Sequence, residues 1–166
     1  MKTLVLCRHA KSDWPQGTSD FERPLKPRGV KDAAYLGEIL DEQDINPGLI
    51  ISSPARRARN TAEIIAKCIG YKHDIRLELS IYDLGAEALM ELIRSLPDVN
   101  DTVMIFGHNP TMEQTVQRLI GSRAPFSLPT CAMVGLEIPD TAWARMEPGK
   151  VSLRWLLIPR LVRTDE

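Results

Sequence analysis

Leu4-Val5-Leu6-Cys7-Arg8-His9-Ala10-Lys11-Ser12 begins with four apolar residues in a row and then turns abruptly to charge. An unbroken apolar run, rather than alternation, marks a strand covered on both faces. Leu49–Ile51 and Val103–Phe106 have the same character, and Ile75–Leu77 is a shorter candidate. Between them lie amphipathic stretches of helix length, near Gly29–Glu42, Pro54–Ile69, Ala86–Leu96 and Pro110–Ile120. This alternation predicts an α/β fold of three α/β/α layers around a mostly parallel central sheet. Cys131–Ile138 and Val151–Ile158 read as two more strands, joined through Pro139, Asp140, Pro148 and Gly149. At least one of them is expected to run antiparallel. Trp143 and Trp155 are read as packing residues.

The chain has 166 residues and a formal net charge of −1. That length fits one domain over residues 1–166, with enough chain to bury a core. The near-neutral balance gives no global field for nucleic acid or an acidic membrane, and neither is expected as a partner. The three cysteines, Cys7, Cys68 and Cys131, have no paired spacing, which argues against a disulfide framework or a zinc ribbon. Cys7 is expected to face the core. The N-terminal apolar run is too short for a signal peptide, and no segment has the length of a membrane span. A cytoplasmic setting is the expectation.

Ligands of open α/β sheets sit at the carboxyl ends of the strands. Arg8 and His9 follow the first apolar run, Ser52-Ser53-Pro54 and then Arg57 follow the second, and Gly107-His108-Asn109-Pro110 follows Val103–Phe106. Asn109-Pro110 and Ser53-Pro54 both read as a capping residue ahead of a proline at the first helical position, where free N–H groups suit an oxyanion. Two histidines and two arginines thus have a route to one sheet edge. A neutral imidazole is a nucleophile near pH 7, and guanidinium groups match phosphate oxygens bidentately. Phosphoryl transfer needs mostly positioning and charge stabilisation, which such a set supplies. Arginines beside the histidines repel a divalent cation, so no metal and no cofactor is expected.

These segments resemble the histidine phosphatase, or phosphoglycerate mutase-like, superfamily. Its Arg-His-Gly reads here Arg8-His9-Ala10. Its Ser-Pro-x-x-Arg-Ala-x-x-Thr-Ala reads Ser53-Pro54-Ala55-Arg56-Arg57-Ala58-Arg59-Asn60-Thr61-Ala62, and its late Gly-His reads Gly107-His108. Ala10-Lys11-Ser12, then Arg23-Pro24-Leu25 and Arg28-Gly29, resemble the short SixA-like branch of phosphohistidine phosphatases, as do Pro129-Thr130 and the Trp143-to-Arg160 stretch. The resemblance implies a phosphoglycerate mutase-like fold without the lid insertions of the larger mutases.

It also implies roles. His9 is the nucleophile, Arg8 and Arg57 clamp the phosphoryl oxygens, and His108 contacts the same oxygens. Ser12 and Asn109 are further candidate substrate contacts. Many relatives carry an asparagine where this chain has Pro15. Arg56, Arg59 and Lys11 are read as surface charges. For a general acid the local candidates are Asp83 and Glu78, with Asp83 preferred. The substrate implied is a phosphorylated protein such as a histidine phosphotransfer domain. A small phosphorylated substrate, a phosphate-binding module without turnover and a metal hydrolase are the alternatives.

Overall fold

Strand β1 spans Lys2–Arg8, and its apolar run divides between two cores. Val5 and Cys7 pack with Ala33, Leu36 and Ile65 on one face, while Leu4 and Leu6 pack with Leu89, Met112 and Val116 on the other. Both faces are dry, which is why the sequence shows no alternation there. The computed structural model describes residues 1–140 and 142–164.

After β1 come α1 (Pro27–Glu42), β2 (Leu49–Ser52), α2 (Arg56–Cys68) and β3 (Arg76–Leu77). The short α3 (Ser80–Asp83), α4 (Gly85–Arg94), β4 (Thr102–Gly107) and α5 (Thr111–Ile120) follow. β5 (Met133–Ile138), a 3-10 turn at Trp143–Arg145, β6 (Ser152–Leu157) and a short α6 (Pro159–Val162) complete the described elements. The sheet has six strands in the order β3-β2-β4-β1-β5-β6. β1, β2, β3 and β4 pair parallel, and β5 runs antiparallel to both its neighbours. Residues of α1 and α2 fill the core on one face, and residues of α4 and α5 the core on the other. The expected three-layer α/β/α arrangement with a mostly parallel sheet is therefore what the chain adopts, with β5 as the antiparallel strand.

The order also explains why two strand ends matter most. β1 leads to β2 by passing over β4, and β4 leads to β5 by passing over β1 on the opposite face. The two connections leave in opposite directions, so a crevice opens at the carboxyl ends of β1 and β4.

Two helix starts differ from expectation. α2 begins at Arg56 with Ala55 as its cap, two residues beyond Pro54. α5 begins at Thr111 with Pro110 as its cap, and the Asn109–Pro110 peptide is cis. Ser53 and Asn109 are thus not side-chain caps. Both have hydrogen-bond partners elsewhere. Trp143 is buried, with its indole N–H on the Asn100 carbonyl at 2.9 Å, and Trp155 packs against the α1–α2 core, so both are packing residues. Cys7 is fully buried. No helix among the described residues is long and apolar enough to cross a membrane.

Candidate active site

His9 continues the β1–β4 ladder by one step. Its N–H donates to the Gly107 carbonyl at 3.0 Å, and Arg8 pairs with Gly107. This register sets His9 beside His108, with ring centroids 5.3 Å apart. A Cβ at position 107 would meet the Met112 methyl at 2.5 Å and Ile81 at 2.8 Å, so those side chains would have to move for any residue but glycine.

The His9 ring is fixed by its own chain. Nδ1 lies 2.7 Å from the Ala10 carbonyl, which can only accept, so Nδ1 carries the proton of the neutral ring. The lone pair is then on Nε2. Ala10 in turn donates its N–H to the Thr61 hydroxyl at 2.9 Å, and Thr61 donates to the Arg57 carbonyl at 2.7 Å. The typed Thr of the second signature thus ties the loop of the first to the helix of the second. Ala10, where glycine is commoner, is fully buried against the α1–α2 core and needs no left-handed backbone.

His108 is held from β2. Its Nε2 lies 2.8 Å from the Ser53 hydroxyl, which also accepts the Ala55 N–H at 3.2 Å. When Ser53 donates to Nε2, the proton of the neutral ring sits on Nδ1, which is buried and has no partner among the described residues. Tyr82 packs edge-on against the His108 ring at 5.6 Å.

The arginines are anchored at their tips. Arg8 donates Nη1 to the Leu128 carbonyl at 3.2 Å. Arg57 donates Nη1 to the Asp20 carbonyl at 2.7 Å and Nη2 to the Asp20 carboxylate at 3.2 Å. In both, Nε is buried without a partner among the described residues. A buried donor left unpaired costs about 1–3 kcal/mol, and more when charged. Three such donors, Arg8 Nε, Arg57 Nε and His108 Nδ1, are what an anion would satisfy.

The helix starts contribute less than expected. The Arg56 N–H is taken by the Phe21 carbonyl, Ala58 and Arg59 by Ala55, and Met112 by His108. The side-chain donors Arg8 Nε, Arg57 Nε and His108 Nδ1 stand unpartnered among the described residues.

Burial, opposed only by the Ala10 carbonyl, brings the His9 pKa down to about 3, and the charges of His108, Arg57 and Arg8 add to the fall. Burial and Arg57 bring His108 down to about 4, with Asp20 opposing. Both rings are neutral near pH 7. The charges of Arg8 and Arg57 bear on both rings. A neutral ring flanked by guanidinium groups suits attack on an electrophile that carries negative charge.

The remaining expected residues occupy varied places. Ser12 accepts from Arg23 Nη2 at 2.8 Å. Asn109 donates its amide to Glu113 at 2.8 Å and to the Leu128 carbonyl at 2.9 Å, which secures the loop that holds Arg8. Pro15 accepts the Thr18 N–H through its carbonyl and begins a turn. Asp83 is exposed on α3, and Glu78 pairs with Arg76 at 2.7 Å. Arg56 and Lys11 are exposed, and Arg59 pairs with Glu63.

The carboxylate bonded into the site is Asp20. It accepts from Arg57, from Arg23 at 3.2 Å and from the Tyr82 hydroxyl at 2.8 Å. Burial pushes its carboxyl up, but the Tyr82 and Arg23 hydrogen bonds and the charge of Arg57 outweigh that and lower it. Nothing in the sequence around Asp20 marks it, because its partners lie as far as 62 residues away. Among the described residues no group of three or more His, Cys, Asp or Glu side chains gathers as a metal site.

Residues 4–87 match the family model of the histidine phosphatase superfamily, branch 1. An uncharacterised chloroplastic protein of Arabidopsis thaliana is 33% identical over 95% of this chain and 78% of its own length. Among solved structures, a candidate phosphohistidine phosphatase SixA of Agrobacterium tumefaciens superposes with a TM-score of 0.82 at 29% identity. That match covers 95% of this chain and 98% of the other. A protein histidine phosphatase SixA in complex with tungstate superposes at 0.80, covering 97% and 99%, and its 19% identity bears on the fold alone. The fold is that of the phosphoglycerate mutase-like proteins.

Proposed function

The chain belongs to the histidine phosphatase superfamily and is a phosphatase, and we propose that it hydrolyses phosphohistidine in a protein through a phosphoryl group carried on His9. His9 Nε2 attacks phosphorus, and the bond from phosphorus to the substrate nitrogen breaks. Arg8 Nε, Arg57 Nε and His108 Nδ1 bind the equatorial oxygens as charge spreads onto them. Water then attacks the phosphorylated His9 and releases inorganic phosphate. Asn109 acts by holding the Leu128 loop against Arg8, and Ser12 by holding Arg23. The functional unit spans residues 1–166.

The observation that carries this reading is the set of three buried, partnerless donors around a neutral histidine. The choice of phosphohistidine rests on the leaving group. The carboxylate bonded into the site, Asp20, is held ionised by Arg57, Arg23 and Tyr82 and has no proton to give. An alkoxide leaves poorly without an acid. A phosphorylated imidazole protonated on its other nitrogen leaves as a neutral ring and needs none. Asp83, exposed on α3, is the residue that would serve an ester substrate. The SixA-like neighbours support the same substrate class.

The test compares a phosphorylated histidine phosphotransfer protein with an aryl phosphate. Preference for the phosphoprotein is expected, and strong preference for the ester overturns the phosphohistidine reading. Rapid quench of the wild type should trap an acid-labile phosphoenzyme that His9→Ala lacks. An active His9→Ala removes His9 as the nucleophile.

A further inference from the structure

Trp14 stands on the segment between His9 and α1, and its side chain is 59% exposed. Single exposed apolar side chains are ordinary. What sets Trp14 apart is how firmly it is held in the open. Its indole N–H donates to the Thr18 carbonyl at 2.7 Å, and its backbone N–H to the Asp13 carboxylate at 2.8 Å. Beneath it the Thr18 N–H closes on the Pro15 carbonyl at 3.1 Å. Gly17 in that turn has φ +81°, a conformation that glycine adopts without strain. The Arg23 guanidinium lies over the indole ring, 4.6 Å from its centroid. Arg23 is itself held by the Ser12 hydroxyl at 2.8 Å, the Asp13 carbonyl at 3.2 Å and the Asp20 carboxylate at 3.2 Å.

The polar edge of the indole is therefore satisfied and its orientation is set, yet more than half of it faces water. A partner that covers it gains apolar burial without first having to order the ring, which is the condition that makes tryptophan and arginine effective anchors. The same Arg23 reaches Asp20, and Asp20 reaches Arg57. Trp14 thus lies two side chains beyond the phosphoryl clamp. A free phosphorylated amino acid brings no further side chain to lay on it, whereas a polypeptide does.

We propose that Trp14, backed by Arg23, is the docking platform for the polypeptide that carries the phosphorylated residue, and that an apolar side chain of that polypeptide rests on the exposed indole. This rests on the phosphatase reading of the His9 site, and it holds whichever atom bonds the phosphorus. Trp14 recognises the substrate's protein part and takes no part in phosphoryl transfer.

The experiment uses the full chain, with Trp14→Ala and Trp14→Phe, on two matched pairs. One is phosphohistidine in a phosphotransfer protein against free phosphoimidazole, the other a phosphoserine peptide against free phosphoserine. Trp14→Ala should lower kcat/KM for the polypeptide member about tenfold or more, mainly through KM, and leave the free member within about twofold. Trp14→Phe should retain most of the wild-type preference. Equal loss on both members, or loss on neither, overturns the platform, and so does a wild type that hydrolyses only the free members. Turnover of the phosphoserine pair alone overturns the phosphohistidine reading, while the ratio within that pair still decides the platform. In a His9→Ala background, the phosphopeptide should quench tryptophan fluorescence, inorganic phosphate should not, and Trp14→Phe should abolish the quench. A quench that survives Trp14→Phe counts against the proposal.

Discussion

Arg57 meets Asp20 twice, once through the Asp20 backbone carbonyl at 2.7 Å and once through its carboxylate at 3.2 Å. The pair fixes the guanidinium by its tips and leaves Nε without a partner among the described residues. It also places a negative charge next to the proposed anion site. Asp20→Asn should therefore separate two effects. Removing the like charge should strengthen binding of inorganic phosphate a few-fold, while the loosened guanidinium should lower kcat about tenfold. Calorimetric phosphate titration and steady-state kinetics check the split, and a parallel fall in both would refute it.

Thr61 is fully buried and bridges Ala10 N–H to the Arg57 carbonyl. Thr61→Val keeps the shape and strands the Ala10 donor, at about 1–3 kcal/mol of stability. Because Ala10 also orients His9, kcat should fall with stability. Thr61→Ser should restore both, as read by urea unfolding and turnover.

Arg57→Lys preserves charge but loses the fork that holds Asp20 and the Nε donor. We expect kcat/KM to fall on the order of a hundredfold with little change in thermal stability. A lysine variant of near wild-type activity would show that charge alone suffices.

Acid should destabilise the fold in a definite window. The unfolded histidines titrate near 6.5, whereas folded His9 and His108 are brought down to about 3 and about 4, chiefly by burial. Above pH 6.5 neither state binds the extra protons. Below it the unfolded state takes them up first, so stability falls as pH falls. Each ring contributes a slope of about 1.4 kcal/mol per pH unit, until the folded rings titrate in turn. Urea unfolding between pH 7.5 and 5 should show this loss, and a His9→Asn, His108→Asn double variant should show a flatter profile.

Chelators should leave turnover unchanged. Arg8 and Arg57 crowd the two histidines with positive charge, and the Asp20 carboxylate is already engaged by Arg57, Arg23 and Tyr82. Inactivation by a chelator, reversed by a divalent cation, would contradict the assignment of the clamp to the arginines.

Arg8, His9, Arg57 and His108 were legible because each follows an apolar run or sits at a fixed offset in a helix, where chain direction alone predicts convergence. Asp20, Tyr82 and Glu113 were not. Their contacts link the β1–α1 connection to α3, and α5 to the Leu128 loop, and no period or local spacing records such pairings. The helix starts were displaced for a related reason. Ser53 looks like a cap, but its hydroxyl partners His108, a residue from another strand, and α2 forms only once the chain has passed it. The short α3 and α6 carry too few residues for a helical pattern to show.

The central position of β1 has a consequence for synthesis. β1 leaves the ribosome before β4 and β5, yet in the sheet it lies between them. At roughly 5–20 residues per second, on the order of ten seconds separates the making of His9 from the making of both neighbours. Until then the end of β1 lacks the Gly107 carbonyl that seats His9 and the Leu128 carbonyl that anchors Arg8. Through that interval the nascent chain holds His9 without the surroundings that set its ring in the finished site.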